Sequence, residues 1–202
     1  MPVTAIDPTT ALVLIDLQNA VVGRPATPHT GAEVVARAVE LADAFRDHGA
    51  AVVLVRVTAR ADRSDAVPGR TEIPRPPGPL PAGWDAIVDD LAGHPGDITV
   101  TKRSWGAFYG TDLDLQLRRR GVTQVVLAGI ATSIGVESTA RAAHEHGYNV
   151  TLVTDAMTDL HAQAHRNSID RIFPLLGESA TTAEIIDLLA STRAGRSHPI
   201  AG

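Results

Sequence analysis

The sequence predicts a single α/β domain built on a six-stranded parallel sheet, Rossmann-like in style, with helices on both faces. Three observations carry this. Short, β-branched apolar runs alternate with longer segments whose apolar residues recur at helical spacing. Each of the four clear helical segments stops at a glycine that leads into the next apolar run. The 202 residues are 44% hydrophobic but only 3% aromatic, so the core is built from Ala, Val, Leu and Ile, which suits a sheet buried on both faces.

The expected strands lie at residues 11–15, 51–57, 98–101 (a weaker run), 124–130, 149–154 and, as a short last strand, 180–183. The expected helices are 30–48, 111–120, 136–146 and 163–176, ended by Gly49, Gly121, Gly147 and Gly177. Repeated βα units of this kind imply parallel pairing through right-handed crossovers. The segment 58–83 breaks the rhythm: it is rich in Pro, Gly and Arg and carries Pro74, Pro76, Pro77, Pro79 and Pro81, so it is neither a helix nor a central strand. A loop of this length is expected to be a lid, a partner-binding arm or disordered. The chain reads as one domain over residues 1–193, with a loosely ordered tail over 194–202.

Charge and composition exclude several classes of function. The net charge is −5, and the basic trio Arg118-Arg119-Arg120 reads as a helix-end cluster, so no nucleic-acid partner is expected. No run reaches the length of a membrane span. The first ten residues lack a basic and then apolar pattern, so a cytoplasmic protein is expected. With no cysteine, the chain has neither disulfides nor thiolate catalysis nor Cys-ligated zinc.

Ligands of an open parallel sheet bind beyond the carboxyl ends of its strands. Three of those ends carry distinctive residues: Asp16-Leu17-Gln18-Asn19, Lys102-Arg103-Ser104-Trp105, and the small-residue turn from Gly129 to Gly135. Asp16 follows five apolar residues, so its carboxylate needs a partner or a proton. Lys102 is the natural partner if the third strand lies near the first. A helix cap or an ordinary loop salt bridge for Asp16, and a solvated lysine, remain open on spacing alone. The turn ahead of the helix offers backbone N–H groups to an anion or an oxyanion. It is not a G-x-G-x-x-G dinucleotide motif. Ser133 and Ser104 are possible nucleophiles only with a base beside them. His161 and His165 have i,i+4 spacing but no evident third metal ligand, and read as solvated histidines.

Three stretches together resemble the signatures of the isochorismatase-like superfamily: Leu14-Ile15-Asp16-Leu17-Gln18, the run from Lys102 to Leu113, and the run from Gly129 to Arg141. Gly147-Tyr148 and Thr154-Asp155-Ala156 also fit, and the resemblance spans roughly residues 10 to 185. It implies a six-stranded parallel sheet and assembly as a homodimer or homotetramer. It implies a hydrolase of a small-molecule substrate, with Asp16 and Lys102 catalytic. It also implies a non-proline cis peptide at Ile130-Ala131 and an oxyanion hole from the N–H groups of Ala131 and residue 135. Gln18, Trp105, Phe108, Ala131, Thr132 and Ser133, which belong to the same signatures, are expected to contact substrate. Amidase members carry a nucleophilic cysteine where this chain has Gly135, which closes the thioester route. The isochorismatases proper also have glycine there and cleave a vinyl ether by acid catalysis, with the aspartate as proton donor. They typically read Tyr-Ala-His-Ile-Gly, however, where this chain reads Ala131-Thr132-Ser133-Ile134-Gly135. The expected bond is therefore a C–O ether rather than a C–N amide; the alternative is a non-catalytic relative that keeps the pocket for binding or assembly. The family's Asp-x-His metal pattern is absent from residues 58–62, so neither metal nor cofactor is expected.

Overall fold

A computed structural model describes residues 2–67, 69–73 and 78–196. Six strands form one sheet: β1 (Thr10–Ile15), β2 (Ala51–Val57), β3 (Ile98–Lys102), β4 (Gln124–Ile130), β5 (Asn149–Thr158) and β6 (Glu178–Ala180). Every pairing is parallel and the order is β3-β2-β1-β4-β5-β6. The helices are α1 (Asn19–Val22), α2 (Gly31–His48), α3 (Leu113–Arg118), α4 (Glu137–Glu145), α5 (Ala162–Asn167), α6 (Phe173–Leu176) and α7 (Thr182–Arg196).

Side chains alternate across a strand, and here each face has its own core. Leu12 and Leu14 of β1 join Val126 and Ala128 of β4 against Val34, Ala38, Leu41 and Phe45 of α2 and Ile185 and Leu189 of α7. Ala11, Val13 and Ile15 turn the other way, with Val125 and Leu127, against Leu113 and Leu117 of α3 and Ala140 and Ala143 of α4. Continuous apolar runs are what two such cores require. The order of strands reverses between β1 and β4: the chain builds outward from β1 to β3 on one side, then crosses back to β4. The carboxyl ends of β1 and β4 therefore flank the switch-point crevice, where ligands of open α/β sheets sit.

Three local expectations need correction. The sixth strand lies at Glu178–Ala180, before the 180–183 window, because Thr181 and Glu184 form a capping pair. The Thr181 N–H donates to Glu184 Oε2 at 2.7 Å and the Glu184 N–H to Thr181 Oγ1 at 3.3 Å, which starts α7. The helix expected over 163–176 is interrupted by a π-helical turn, Ser168–Ile172, just ahead of Pro174, which has no N–H to continue an α ladder. Gly177 is not a left-handed cap: its φ is 178°, and a Cβ there would meet the Val150 carbonyl oxygen at 2.0 Å. Close approach of the backbone is what glycine supplies at this position.

The segment between β2 and β3 has no regular element in its described residues, but it is packed. Its return leg runs antiparallel beside the chain after β1, with Asn19 N–H to Ala86 O at 3.0 Å and Val88 N–H to Leu17 O at 3.1 Å. Val88 and Leu91 are buried in the α2 core. The outbound leg is tied to the end of β3 by Asp65, whose carboxylate takes the Arg103 Nε at 2.8 Å and the Arg60 N–H at 2.7 Å. Arg75 and three of the five prolines, Pro74, Pro76 and Pro77, lie outside the described residues. So do residues 197–202 of the expected tail, whereas 194–196 belong to α7.

Candidate active site

β1 ends at Ile15 and the next residue turns sharply. Asp16 has φ +53°, a left-handed conformation that costs a non-glycine residue about 1–3 kcal/mol and persists only where the surroundings impose it. Here the Asp16 N–H donates to Val55 O at 2.9 Å, and the Asp16 carbonyl accepts the Gln18 N–H at 2.9 Å. Gln18 is fully buried, and its side chain grips one residue of β2 at both ends. Its Oε1 accepts the Val57 N–H at 2.8 Å and its Nε2 donates to the Val57 carbonyl at 2.9 Å.

Lys102, the last residue of β3, is not on a strand adjacent to β1. β2 lies between them, and the lysine stem spans its carboxyl end. The ammonium donates to Asp16 Oδ2 at 2.7 Å and to the Ser104 carbonyl at 3.1 Å. Lys102 is 2% exposed and Asp16 7%, so this is a buried pair. Asp16 Oδ1 is buried with no hydrogen-bond partner among the described residues. Burial pushes the carboxyl up to about 6, and the opposing Lys102 cation does not overcome it.

β4 brings the third element. Gly129 has φ +126°, and a Cβ there would lie 2.1 Å from the Ile15 carbonyl oxygen. Only glycine lets β4 pass this close to the end of β1. The cis peptide at Ile130-Ala131 follows, then a π-helical turn, Thr132–Val136, which leads into α4. A Cβ on Gly135 would lie 2.9 Å from Ile15 Cγ2, 3.3 Å from Asp16 Oδ2 and 3.6 Å from the Trp105 carbonyl. A side chain at residue 135 would thus project onto the carboxylate, which is the placement the resemblance implies for a nucleophile.

The turn is fastened from behind. Asp159, 1% exposed, accepts the Ser133 N–H at 2.7 Å and the His161 N–H at 3.2 Å. The Ile134 and Val136 N–H groups both reach the Ala131 carbonyl, while the Ala131 N–H meets no acceptor among the described residues. Thr132 is buried with its hydroxyl 2.8 Å from His165 Nδ1, and burial holds that histidine below its ordinary value, so it is neutral near pH 7. Thr139 of α4 bridges the turn to the loop after β3: its hydroxyl donates to the Gly135 carbonyl at 2.7 Å and accepts the Ala107 N–H at 3.1 Å. Sequence reading missed Asp159, Thr139 and the Ser104 carbonyl. Each acts through a backbone group across the fold, and spacing along the chain carries no signal of that.

The structure thus brings Asp16, Lys102, Gly135, Ala131 and the Trp105 backbone together. The Trp105 side chain is 68% exposed. The Phe108 ring stacks on His146 at 5.0 Å, beyond the far end of α4. His146 lies eleven residues after Gly135, so about 16 Å along a helix separates that ring from the reacting end. Ser104 Oγ donates to the Gly106 carbonyl at 3.2 Å. His161 and His165 do not share a helical face: His161 is the extended, exposed residue before α5, whereas His165 is buried.

An isochorismatase domain matches residues 10–184. The chain is 47% identical over 181 residues to an uncharacterized isochorismatase family protein, YecD, of Escherichia coli, covering 90% of this chain and 96% of that one. An isochorismatase family protein from Burkholderia thailandensis superposes with a TM-score of 0.88 at 47% identity, covering 92% of this chain and 98% of that one. Ureidoacrylate amidohydrolase RutB of Stutzerimonas stutzeri is 33% identical over 170 residues, 73% of this chain and 68% of its own. This last relative corrects one expectation. It is by name a C–N hydrolase, so the absence of a cysteine does not make a C–O ether the favoured bond. A six-stranded parallel α/β domain, its continuous match and its close relatives agree: the chain belongs to the isochorismatase family of hydrolases.

Proposed function

We propose that the chain hydrolyses a carbonyl–nitrogen bond of a small metabolite, of amide or ureido type, by direct attack of water. One observation carries the reading: a buried carboxylate, held by Lys102, whose Oδ2 faces a residue that contributes no side chain. A water between Asp16 and the substrate takes the place of the missing sulfur. The Asp16 carboxylate, whose Oδ2 faces the position a residue-135 side chain would fill, accepts the water's proton as its oxygen bonds to the carbonyl carbon. The carbonyl oxygen becomes an oxyanion and takes the Ala131 N–H, with the N–H of residue 135 as second donor. The C–N bond then breaks, and the proton on Asp16 passes to the leaving nitrogen. No oxidant or covalent enzyme intermediate is needed. A carboxyl poised near 6 can both take and return a proton near neutrality. Lys102 fixes the carboxylate in place and moderates the cost of ionising it.

Hydrolysis of a panel of ureido and amide acids, followed by release of ammonia or amine, tests this. Asp16→Asn should lose at least 100-fold in kcat while folding normally, and Ser133→Ala and Ser104→Ala should keep wild-type rates. Full activity in Asp16→Asn sinks the proposal. Ligand binding without turnover across the panel would favour a binding protein instead.

A further inference from the structure

A second feature sits on the same rim of the sheet. A cavity of about 350 Å³ is lined by Ala20, Val21, Val57, Ala59, Ala66, Leu80 and Trp84, together with Arg24 and Arg63. Three alanines leave the space, and Val21, Val57, Leu80 and Trp84 make its walls apolar. The volume falls within the range of small-molecule sites, roughly 300–1,000 Å³. Its charged residues are both arginines; no carboxylate lines it. Arg24 is exposed, and its side chain makes no ion pair or hydrogen bond among the described residues. Arg63 is held in place by its backbone, with φ +60°, its N–H on the Arg60 carbonyl at 2.8 Å and its carbonyl on the Ala66 N–H at 3.1 Å. A cavity of about 420 Å³ at the opposite end of the sheet, around Thr9, Thr10 and Ile98, adjoins none of the candidate site residues.

The cavity is also joined to the reactive residues. Ala20 and Val21 lie on α1, which starts three residues after Asp16, and Val57 is the residue that Gln18 grips at both backbone groups. We infer that this cavity binds a small organic carboxylate, with the apolar body against Trp84 and Leu80 and the carboxylate on Arg24 and Arg63. An apolar wall gains by excluding water from a hydrocarbon body, and a guanidinium pairs a carboxylate through parallel N–H donors. If hydrolysis proceeds as proposed above, the cavity anchors the acid end of the substrate, and that extension rests on the proposed reaction. The binding itself does not.

Benzoate and its neutral isostere benzamide, titrated calorimetrically into the full chain, separate the two claims. Benzoate should bind at millimolar concentration or better, and benzamide at least tenfold more weakly. Arg24→Gln with Arg63→Gln should weaken benzoate at least tenfold and leave benzamide unchanged. Ala66→Trp, which fills the cavity, should abolish both, with circular dichroism confirming the fold. Asp16→Asn should bind benzoate as wild type does. Equal affinity for the two probes, no benzoate binding, or a double arginine variant with unaltered affinity would each overturn the inference. None of these outcomes touches the proposed reaction, which fails if Asp16→Asn retains turnover or if no member of the ureido and amide panel is hydrolysed.

Discussion

Lys102 Nζ lies 2.7 Å from Asp16 Oδ2, while the buried Asp16 Oδ1 has no hydrogen-bond partner among the described residues. The carboxylate thus meets the Lys102 ammonium and the open position at Gly135 through the same oxygen, Oδ2. Its pH signature follows. Asp16 is lifted to about 6, so a base that must be ionised gives a kcat that rises as pH passes 6 and levels above it. Lys102→Met removes the cation that opposes burial, and the acid limb should move to higher pH. A rate that falls above pH 6 would assign Asp16 as the acid in the slow step.

The same shift is a stability statement. A carboxyl raised from 3.8 to about 6 favours the folded state most when protonated. That contribution is complete below pH 3.8 and is lost as pH rises through 6, an amplitude on the order of 3 kcal/mol. Urea unfolding of wild type and Asp16→Asn across pH 4 to 7 should show the variant gaining relative stability with rising pH. A constant difference would mean that the carboxyl titrates alike in both states.

Gly135 has room for nothing without adjustment. Its Cβ would press on Ile15 Cγ2 at 2.9 Å, a branched methyl that cannot swing aside, so Gly135→Ala should cost about 1–3 kcal/mol in denaturant unfolding. The residue has no positive φ, so Gly135→Cys should fold at similar cost. Its thiol should alkylate with a pKa below the ordinary value of about 8.5, and more slowly after Lys102→Ala. A thiol titrating at or above that value would separate residue 135 from the reactive pair.

Asp159 holds two backbone N–H groups in a buried position, and an asparagine amide presents a donor to one of them. Asp159→Asn should therefore cost about 1–3 kcal/mol and loosen the turn, with kcat falling more than KM rises. Wild-type stability in this variant would show that the Ser133 contact is not what holds the turn.

Thr139→Val keeps the shape of the side chain and removes both of its hydrogen bonds. The Gly135 carbonyl and the Ala107 N–H lose their buried partner together, and thermal unfolding should register about 1–3 kcal/mol. Arg60→Ala and Arg70→Ala act as contrasts: both residues are exposed, and neither lines the arginine-bearing cavity, so both should keep wild-type KM and kcat.

Much of this was legible in the chain itself, and for a local reason. Burial on both faces writes itself into continuous apolar runs, so β1, β2, β4 and the start of β5 could be read directly. Helix ends are local chemistry, so the helix expected from residue 30 is there, with Thr30 as the N-cap of α2 in a capping pair with Glu33. Asp16, Lys102 and the Gly129–Gly135 turn stood out because each lies at the carboxyl end of an expected strand, and Gly135 itself through the family resemblance. What the chain could not state was distance between segments remote in sequence. That Lys102 crosses the end of β2 to reach Asp16, 86 residues away, is a consequence of strand order. So is the grip of Asp159 on the turn, and the cavity shared by α1 and the proline-rich segment. The sequence singled out the candidate residues; the tertiary structure alone decided which of their atoms meet. Burial and hydrogen-bond partners are set by neighbours in space, and these in turn set the state of the carboxyl.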